Sequence, residues 1–265
     1  MNMTRRMAAG PRSAGLVSDI PTTRALRATP YAPKRPLRAS GMTRRYSTMW
    51  LEPNGDIAEE TRIAPAVPLF EEAFSAIARG AIVATEDGPV AIEDLVPGQR
   101  VITADERVEL VTWIGSMTVF PSAGEDTGRM IRVTAEAFGH GRPQNDVVLG
   151  PHARFCLRDA RLRNRLGLDQ AYAPIAGFVD GVSVVEVKPI SAITAYHVAL
   201  EHHGTLKVGG FEIESYHPGE GIERMIDPRL AELFLALFPH VDRLRDFGPL
   251  AIPRLTRFEV EQLQG

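Results

Sequence analysis

This 265-residue chain has one cysteine and seven histidines, the residue types best suited to nucleophilic attack, proton transfer or metal binding. Since Cys156 is the only cysteine, no internal disulfide can form, and the sequence indicates no redox compartment. It lies in an apolar run without a neighbouring base, which is typical of a core thiol. No cysteine or carboxylate at a recognisable ligand spacing accompanies His197, His202 or His203. We therefore predict no metal and no cofactor.

Charge divides the chain into a basic leader and an acidic remainder. Residues 1–48 carry ten Lys and Arg against one acid, Asp19, whereas the rest has 20 basic and 32 acidic residues. The leader is rich in Arg, Thr, Ser, Ala and Pro and lacks apolar periodicity, so we predict that residues 1–45 are disordered. Because Tyr31 is the one aromatic residue among residues 1–45, the leader lacks the repeated aromatic interleaving that stacks on bases, which argues against nucleic acid as a partner.

The leader also bears on location and on the start of the protein. A secretory signal requires an apolar core of about 7–15 residues after the early basic residues, and none follows here. With no transmembrane stretch either, the sequence favours a cytoplasmic location and predicts no membrane partner. Met42 and Met49 lie near the predicted start of order, so either could be the true translation start in place of Met1.

The clearest local pattern is a hairpin that begins at residue 80. Residues 80–85, GAIVAT, are apolar and β-branched, residues 86–89, EDGP, suit a turn, and residues 90–92 return as a strand. Followed by IEDLVPGQRV at 92–101, this order resembles the opening of the Hint domain of Hedgehog autoprocessing proteins and inteins, closest to the bacterial Hint_2 type. Further pieces in the family's order are VTWIG at 111–115, LGP at 149–151, YHV at 196–198 and ESY at 214–216.

The resemblance implies a self-processing site, in which a Cys, Ser or Thr attacks the carbonyl of the preceding peptide bond. The family's C-F-A-x-G-T pattern falls on residues 76–81, so Ala76 stands at the nucleophile position. A methyl group cannot attack a carbonyl. In the family's second catalytic segment Gly150 replaces the hydroxyl residue, and the family's His falls on Ala153, one residue after His152. Two altered segments predict that autoprocessing has been lost.

Ser75 offers one way for activity to survive. Its hydroxyl could attack the carbonyl of Phe74 with His152 as the proton donor, because both residues are shifted one position toward the N-terminus. Successive strand residues face opposite ways, so the shift aims the His152 ring away from the site unless a bulge corrects it. If the chain is a slow cis-acting autoprotease that cuts at Phe74-Ser75, the catalytic residues are therefore Ser75 and His152.

The residues thus define three hypotheses about function. We favour a Hint-domain protein that has lost autoprocessing and has a binding or structural role. The slow autoprotease is the second hypothesis, and a nucleic-acid-associated protein that works through its basic leader is the third. The intein-type His-Asn terminus is absent, so Asn-driven splicing has no residue to use. Glu214 and Ser215 match the family's ending, and we expect them to form hydrogen bonds.

Many short predicted strands with turn signals at close spacing indicate an all-β fold. The resemblance implies that residues 75–220 adopt the horseshoe-like Hint fold with pseudo-two-fold symmetry. Residues 46–74 predict a hairpin and a linker, in which Phe70, Phe74 and Ile77 have the spacing of a helical turn.

Residues 221–265 predict a C-terminal helical extension. Asp227-Pro228 suits a helix start with one apolar face after it, and a second short helix is predicted at 256–263. We expect both helices to pack on the β domain, and the alternative is that the first one docks a protein partner. The arginine-rich residues 158–170 predict a solvated loop or a frayed helix, with a patch for an acidic partner as the alternative.

Overall fold

The computed structural model describes residues 42–121 and 128–264. The predicted disorder of residues 1–45 therefore falls almost wholly outside the described residues. No helix in the described ranges is long and apolar enough to cross a membrane. The helices are α1 (Pro68–Glu72), α2 (Ala160–Leu166), α3 (Pro228–Leu235) and α4 (Arg257–Gln264).

Fifteen strands dominate the described part of the chain. They are β1 (Thr43–Leu51), β2 (Ile57–Pro65), β3 (Ile77–Ala78), β4 (Ile82–Thr85), β5 (Gly88–Ala91), β6 (Arg100–Ile102), β7 (Val108–Val119), β8 (Met130–Val133), β9 (Val147–Leu149), β10 (Arg154–Leu157), β11 (Ala171–Pro174), β12 (Val184–Val187), β13 (Ile193–Leu200), β14 (Thr205–Val208) and β15 (Phe211–Glu214).

The strands pair in the order β11-β10-β15-β14-β4-β6-β7-β13-β3-β9-β8-β12. In addition, β1 pairs with β7, β2 with β1, and β5 with β4. Among the pairs of these named strands every pairing is antiparallel. The prediction of an all-β fold with a short C-terminal helical extension is confirmed.

The long strand β7 shows how the sequence places the core. Its residues are buried in near alternation, as expected for a strand with one face inward, and Trp113 is fully buried. A Cβ at Gly115 would lie 2.2 Å from the Trp113 ring and 2.7 Å from the Phe74 ring. Glycine at this position therefore lets the two aromatic rings close over the strand.

The helical turn predicted around Phe70 is shorter than its apolar spacing suggested. Helix α1 ends at Glu72, and Ile77 lies in β3, paired with Tyr196 on one side and Leu149 on the other. Short apolar runs fit a helix and a buried strand about equally well, and here pairing on both sides selects the strand.

The arginine-rich segment forms helix α2 instead of a loop. The Asp159 side chain accepts a hydrogen bond from the Arg161 amide, and Gly167 ends the helix in the left-handed conformation. The Arg161 guanidinium donates to the Leu263 carbonyl at 3.2 Å, and the Arg165 guanidinium donates to the carbonyl of the residue just before Leu263. These arginines thus bind the C-terminal end of α4, where cations are favoured by the helix dipole.

Two clusters of buried apolar residues fill the interior. We call the first the domain core; it is largely aliphatic and contains Ala76, Val83 and Leu206. We call the second the flank core; it is richer in aromatic side chains and contains Phe74, Trp113 and members from both flanking segments. The flank-core residues from outside 75–220 are Tyr46, Ala64, Val67, Phe70, Ala73, Phe74, Ile222, Leu230, Phe234, Leu237, Phe238 and Leu244.

Candidate functional site

The peptide bond between Ser75 and Ala76 stands where the family resemblance places the reacting bond. The Ala76 N–H donates to the Tyr196 carbonyl at 3.0 Å, and the Ala76 carbonyl accepts from the Gly150 N–H at 2.9 Å. Ser75 is 4% exposed and Ala76 is 1% exposed. The backbone on the C-terminal side of this bond is therefore part of the sheet, and the bond is closed off from solvent.

Gly150 makes the closest approach to this bond. A Cβ built on Gly150 would lie 1.4 Å from the Ser75 carbonyl oxygen and 2.6 Å from its carbonyl carbon. No side chain fits at that distance, so the Ser75 carbonyl occupies the space in which a hydroxyl-bearing residue would begin. Any substitution at Gly150 requires the junction to move.

The structure does not join the two residues predicted as a catalytic pair. The Ser75 hydroxyl donates to the Glu71 carbonyl at 2.6 Å, which ties it to the end of α1. His152 lies half-buried in the turn after Gly150, and no hydrogen bond connects it to Ser75 within the described residues. Ala153, at the family's His position, is buried. Catalysis by Ser75 and His152 stays a prediction.

A cluster of charged side chains near the junction was missed by sequence reasoning. Arg154 forms an ion pair with Glu72, and Arg254 forms one with Glu214 at 2.8 Å. His203 Nε2 lies 3.3 Å from the same Glu214 carboxylate. The N-terminal segment, the β domain and the C-terminal extension each contribute to this cluster. An arginine at the start of an apolar strand was the one available signal.

Burial and pairing set the charges in this cluster. Burial alone would raise the pKa of Glu214, but the charge of Arg254 and the hydrogen bond from His203 lower it to about 2. Burial lowers the pKa of His197 to about 4, so its ring is neutral at pH 7. The His197 Nδ1–H donates to the Glu72 carbonyl at 3.0 Å. The site thus contains paired charges and a neutral imidazole that serves as a hydrogen-bond donor.

The expected hydrogen-bonding role of Glu214 and Ser215 agrees with this geometry, because the Ser215 hydroxyl accepts the Gly204 N–H at 3.1 Å. Cys156 is fully buried, and burial raises the pKa of its thiol to about 12. The thiol is therefore protonated at pH 7 and behaves as the core residue that its apolar surroundings predict.

Among the described residues, one group of side chains brings three possible metal-ligand atoms together. Ligand atoms of Glu109, Glu201 and His202 all lie within 4.8 Å of one another. Glu109 already forms an ion pair with Arg107, and the His202 side chain is 71% exposed. Spacing along the chain could not reveal this group, because Glu109 and His202 are 93 positions apart.

Comparison with known proteins agrees with the motif order. The sequence profile of the Hint domain, of the Hint_2 type, matches residues 75–220, which is more than half of the chain. Among curated proteins, none matched.

Solved structures of intein-like proteins were also found. The solution structure of a bacterial intein-like domain from Clostridium thermocellum matches with 15% identity and a TM-score of 0.38, covering 54% of this chain and 99% of that one. The MchDnaB-1 intein matches with 15% identity and a TM-score of 0.31, covering 53% of this chain and 100% of that one. On the extent of the profile match, the chain belongs to the Hint domain family.

Proposed function

We propose that this Hint domain has lost self-processing and has a structural or binding role in which residues 43–74 remain covalently attached. The contact between Gly150 and the Ser75 carbonyl carries the proposal, because it leaves no space for the hydroxyl side chain that the family uses. With a methyl group at Ala76 as well, the nucleophile and the group that assists it are both missing.

The packing of the N-terminal segment supports a structural role. Strand β1 pairs with β7, and Phe74 is fully buried beside Trp113 at a ring distance of 5.3 Å. A segment that is meant to leave would not be expected to supply core side chains. For a binding role, the large apolar side chain of α3 that remains accessible is Leu233, 52% exposed, while Phe234 is buried.

The alternative is slow autoproteolysis at Phe74-Ser75 with His152 as the proton donor. In that reaction the Ser75 oxygen attacks the Phe74 carbonyl carbon and the hydroxyl proton passes to a base. The C–N bond between Phe74 and Ser75 breaks as His152 protonates the departing nitrogen, and water then hydrolyses the resulting ester. The hydroxyl now donates to the Glu71 carbonyl, which is a poor base, so it would first have to leave that bond.

Intact mass under denaturing conditions tests the proposal. Fresh full-length protein, Ser75→Ala and His152→Ala are measured before and after incubation with hydroxylamine or a thiol. We expect one uncut mass in every sample, with the basic leader attached. A break between residues 74 and 75 that both substitutions abolish would replace the proposal with the autoprotease.

A further inference from the structure

The surroundings of Arg154 have the chemistry of an anion site. Arg154 is the first residue of β10 and directly follows the altered segment 150–153. Its terminal nitrogen Nη1 donates to a carboxylate oxygen of Glu72, and the two side chains are 25% and 31% exposed. Arginine and carboxylate groups that are largely removed from water form charge-assisted hydrogen bonds stronger than neutral ones.

The Arg154 guanidinium is only partly used by this contact. A guanidinium offers five N–H donors in a planar fork that matches both oxygens of a carboxylate. The Arg154 Nε is buried, and no described residue accepts its hydrogen. Glu72 is the last residue of helix α1, and its carboxylate contacts the fork through the Nη1 bond. A carboxylate free to reorient could engage Nε as well.

Neighbouring groups favour a negative charge at this position. Burial acts to raise the pKa of Glu72, but Arg154 together with the charges of His152 and Arg254 lowers it below its usual value. The Glu72 backbone is held as well, because its carbonyl accepts the His197 Nδ1–H at 3.0 Å. Basic groups thus receive the side chain while a neutral histidine fixes the backbone.

We propose that Arg154 forms a carboxylate-binding site on the Hint domain, and that Glu72 is its resident ligand, supplied by the chain's own N-terminal segment. The site takes a carboxylate borne by a peptide or a small organic acid. This inference goes beyond the loss of self-processing, because it holds whether or not the chain is cut. It gives the N-terminal segment an anchor that does not depend on the covalent bond.

Chemical rescue in the full-length chain tests the site, with sodium acetate as the probe. Glu72→Ala removes the resident carboxylate and leaves Arg154 without its partner. At ten times its dissociation constant, acetate should raise the Tm of Glu72→Ala by about 3 to 5 °C beyond sodium chloride at equal ionic strength. Wild type and Glu71→Ala should lack this excess, since Glu71 lies in the same helix but pairs with Arg44.

Three further variants keep the test decisive. Arg154→Met combined with Glu72→Ala should abolish the acetate response. An equal response in all variants, or a response that survives this double substitution, would overturn the site. If Glu72→Ala does not fold, Glu72→Gln should lower the Tm more than Glu71→Gln, and equal Tm values would overturn the site. The intact mass under denaturing conditions is measured on every sample. A chain that cuts itself gives two masses whatever its acetate response, so failure of the carboxylate site and failure of the proposed loss of self-processing can be told apart.

Discussion

The two cores of this molecule differ in which part of the chain supplies them. The domain core is largely aliphatic and is built from residues 75–220, with Leu255, Val260 and Leu263 added by the C-terminal extension. The flank core is richer in aromatic side chains and surrounds Trp113 with side chains that mostly come from before residue 75 or after residue 220. The family's domain thus supplies one core, and the flanking segments of this chain supply most of the other.

The junction passes from one core into the other. Phe74 belongs to the flank core, Ala76 belongs to the domain core, and Ser75 lies between them, almost fully buried. A self-processing junction must bring its reacting carbonyl to a nucleophile, whereas this one fixes the carbonyl against Gly150. The contrast supports the proposal that the N-terminal segment stays attached as part of the folded body.

Acid should destabilise the flank core before the domain core, and this loss of stability is the largest effect we expect. Burial lowers the pKa of His197, His217 and His240 to about 4, and each ring contacts an aromatic ring of that core or packed on it. An unfolded histidine binds a proton below about pH 6.5, whereas these folded ones resist protonation. Their contribution to stability is therefore complete above pH 6.5 and is lost as the pH falls toward 4, by about 3 kcal/mol for each histidine.

Urea unfolding between pH 7 and pH 4, followed by tryptophan fluorescence, measures this loss. His140 is fully exposed at 100% of its side chain and serves as the control, so His140→Asn should leave the pH profile unchanged. A free energy of unfolding that stays level from pH 6.5 to 4.5 would mean that these three histidines take up protons as readily in the folded chain as in the unfolded one.

Phe74→Ala should give the next largest effect, because it removes a fully buried ring from the flank core at the junction. The Phe74 ring lies 4.7 Å from Tyr46 and 5.3 Å from Trp113, and both contacts would be replaced by a cavity. We expect a loss of about 4 kcal/mol in the free energy of unfolding. Phe120→Ala is the matched control; that ring is 60% exposed, and its loss should stay within about 0.5 kcal/mol. Similar losses of stability in the two variants would show that the Phe74 ring is not a packed part of the flank core.

His240→Phe should have the smallest effect and the opposite sign. The His240 ring stacks on Trp113 at 6.1 Å, and its buried Nδ1 has no partner among the described residues. Replacing an unsatisfied polar atom with an apolar ring should stabilise the chain by about 1 kcal/mol and reduce its acid sensitivity. Thermal unfolding at pH 7 and pH 5 checks both effects. A lower Tm at pH 7 would show that Nδ1 makes a favourable bond.

Local chemistry explains what the sequence could predict. The EDGP turn and the alternating strands around it rest on backbone preferences of neighbouring residues, and they appear as β4 and β5. The order of the motifs likewise located Ala76 and Gly150. Helix α3 was predictable because Asp227-Pro228 is a local start signal, and the Asp227 side chain caps the helix.

Long-range contacts explain what the sequence could not predict. Glu72 and Arg154 are 82 positions apart, and Glu214 and Arg254 are 40 apart, so no local pattern pairs them. The sequence also showed only that Gly150 lacks a hydroxyl. That the Ser75 carbonyl fills the place of the missing side chain follows from the way β3 and β9 meet, which is a tertiary property.

The central claim is that packing fixes the bond between Ser75 and Ala76 in an unreactive position, in addition to the lack of a nucleophile at Ala76. Ala76→Cys restores the family's nucleophile and leaves Gly150 and Ala153 unchanged. The most direct test is the denaturing intact mass of this variant after incubation with hydroxylamine, beside the wild type. The account predicts one uncut mass for both proteins. A break between residues 75 and 76 in the variant would contradict it, because a thiol alone would then be enough to restart the reaction.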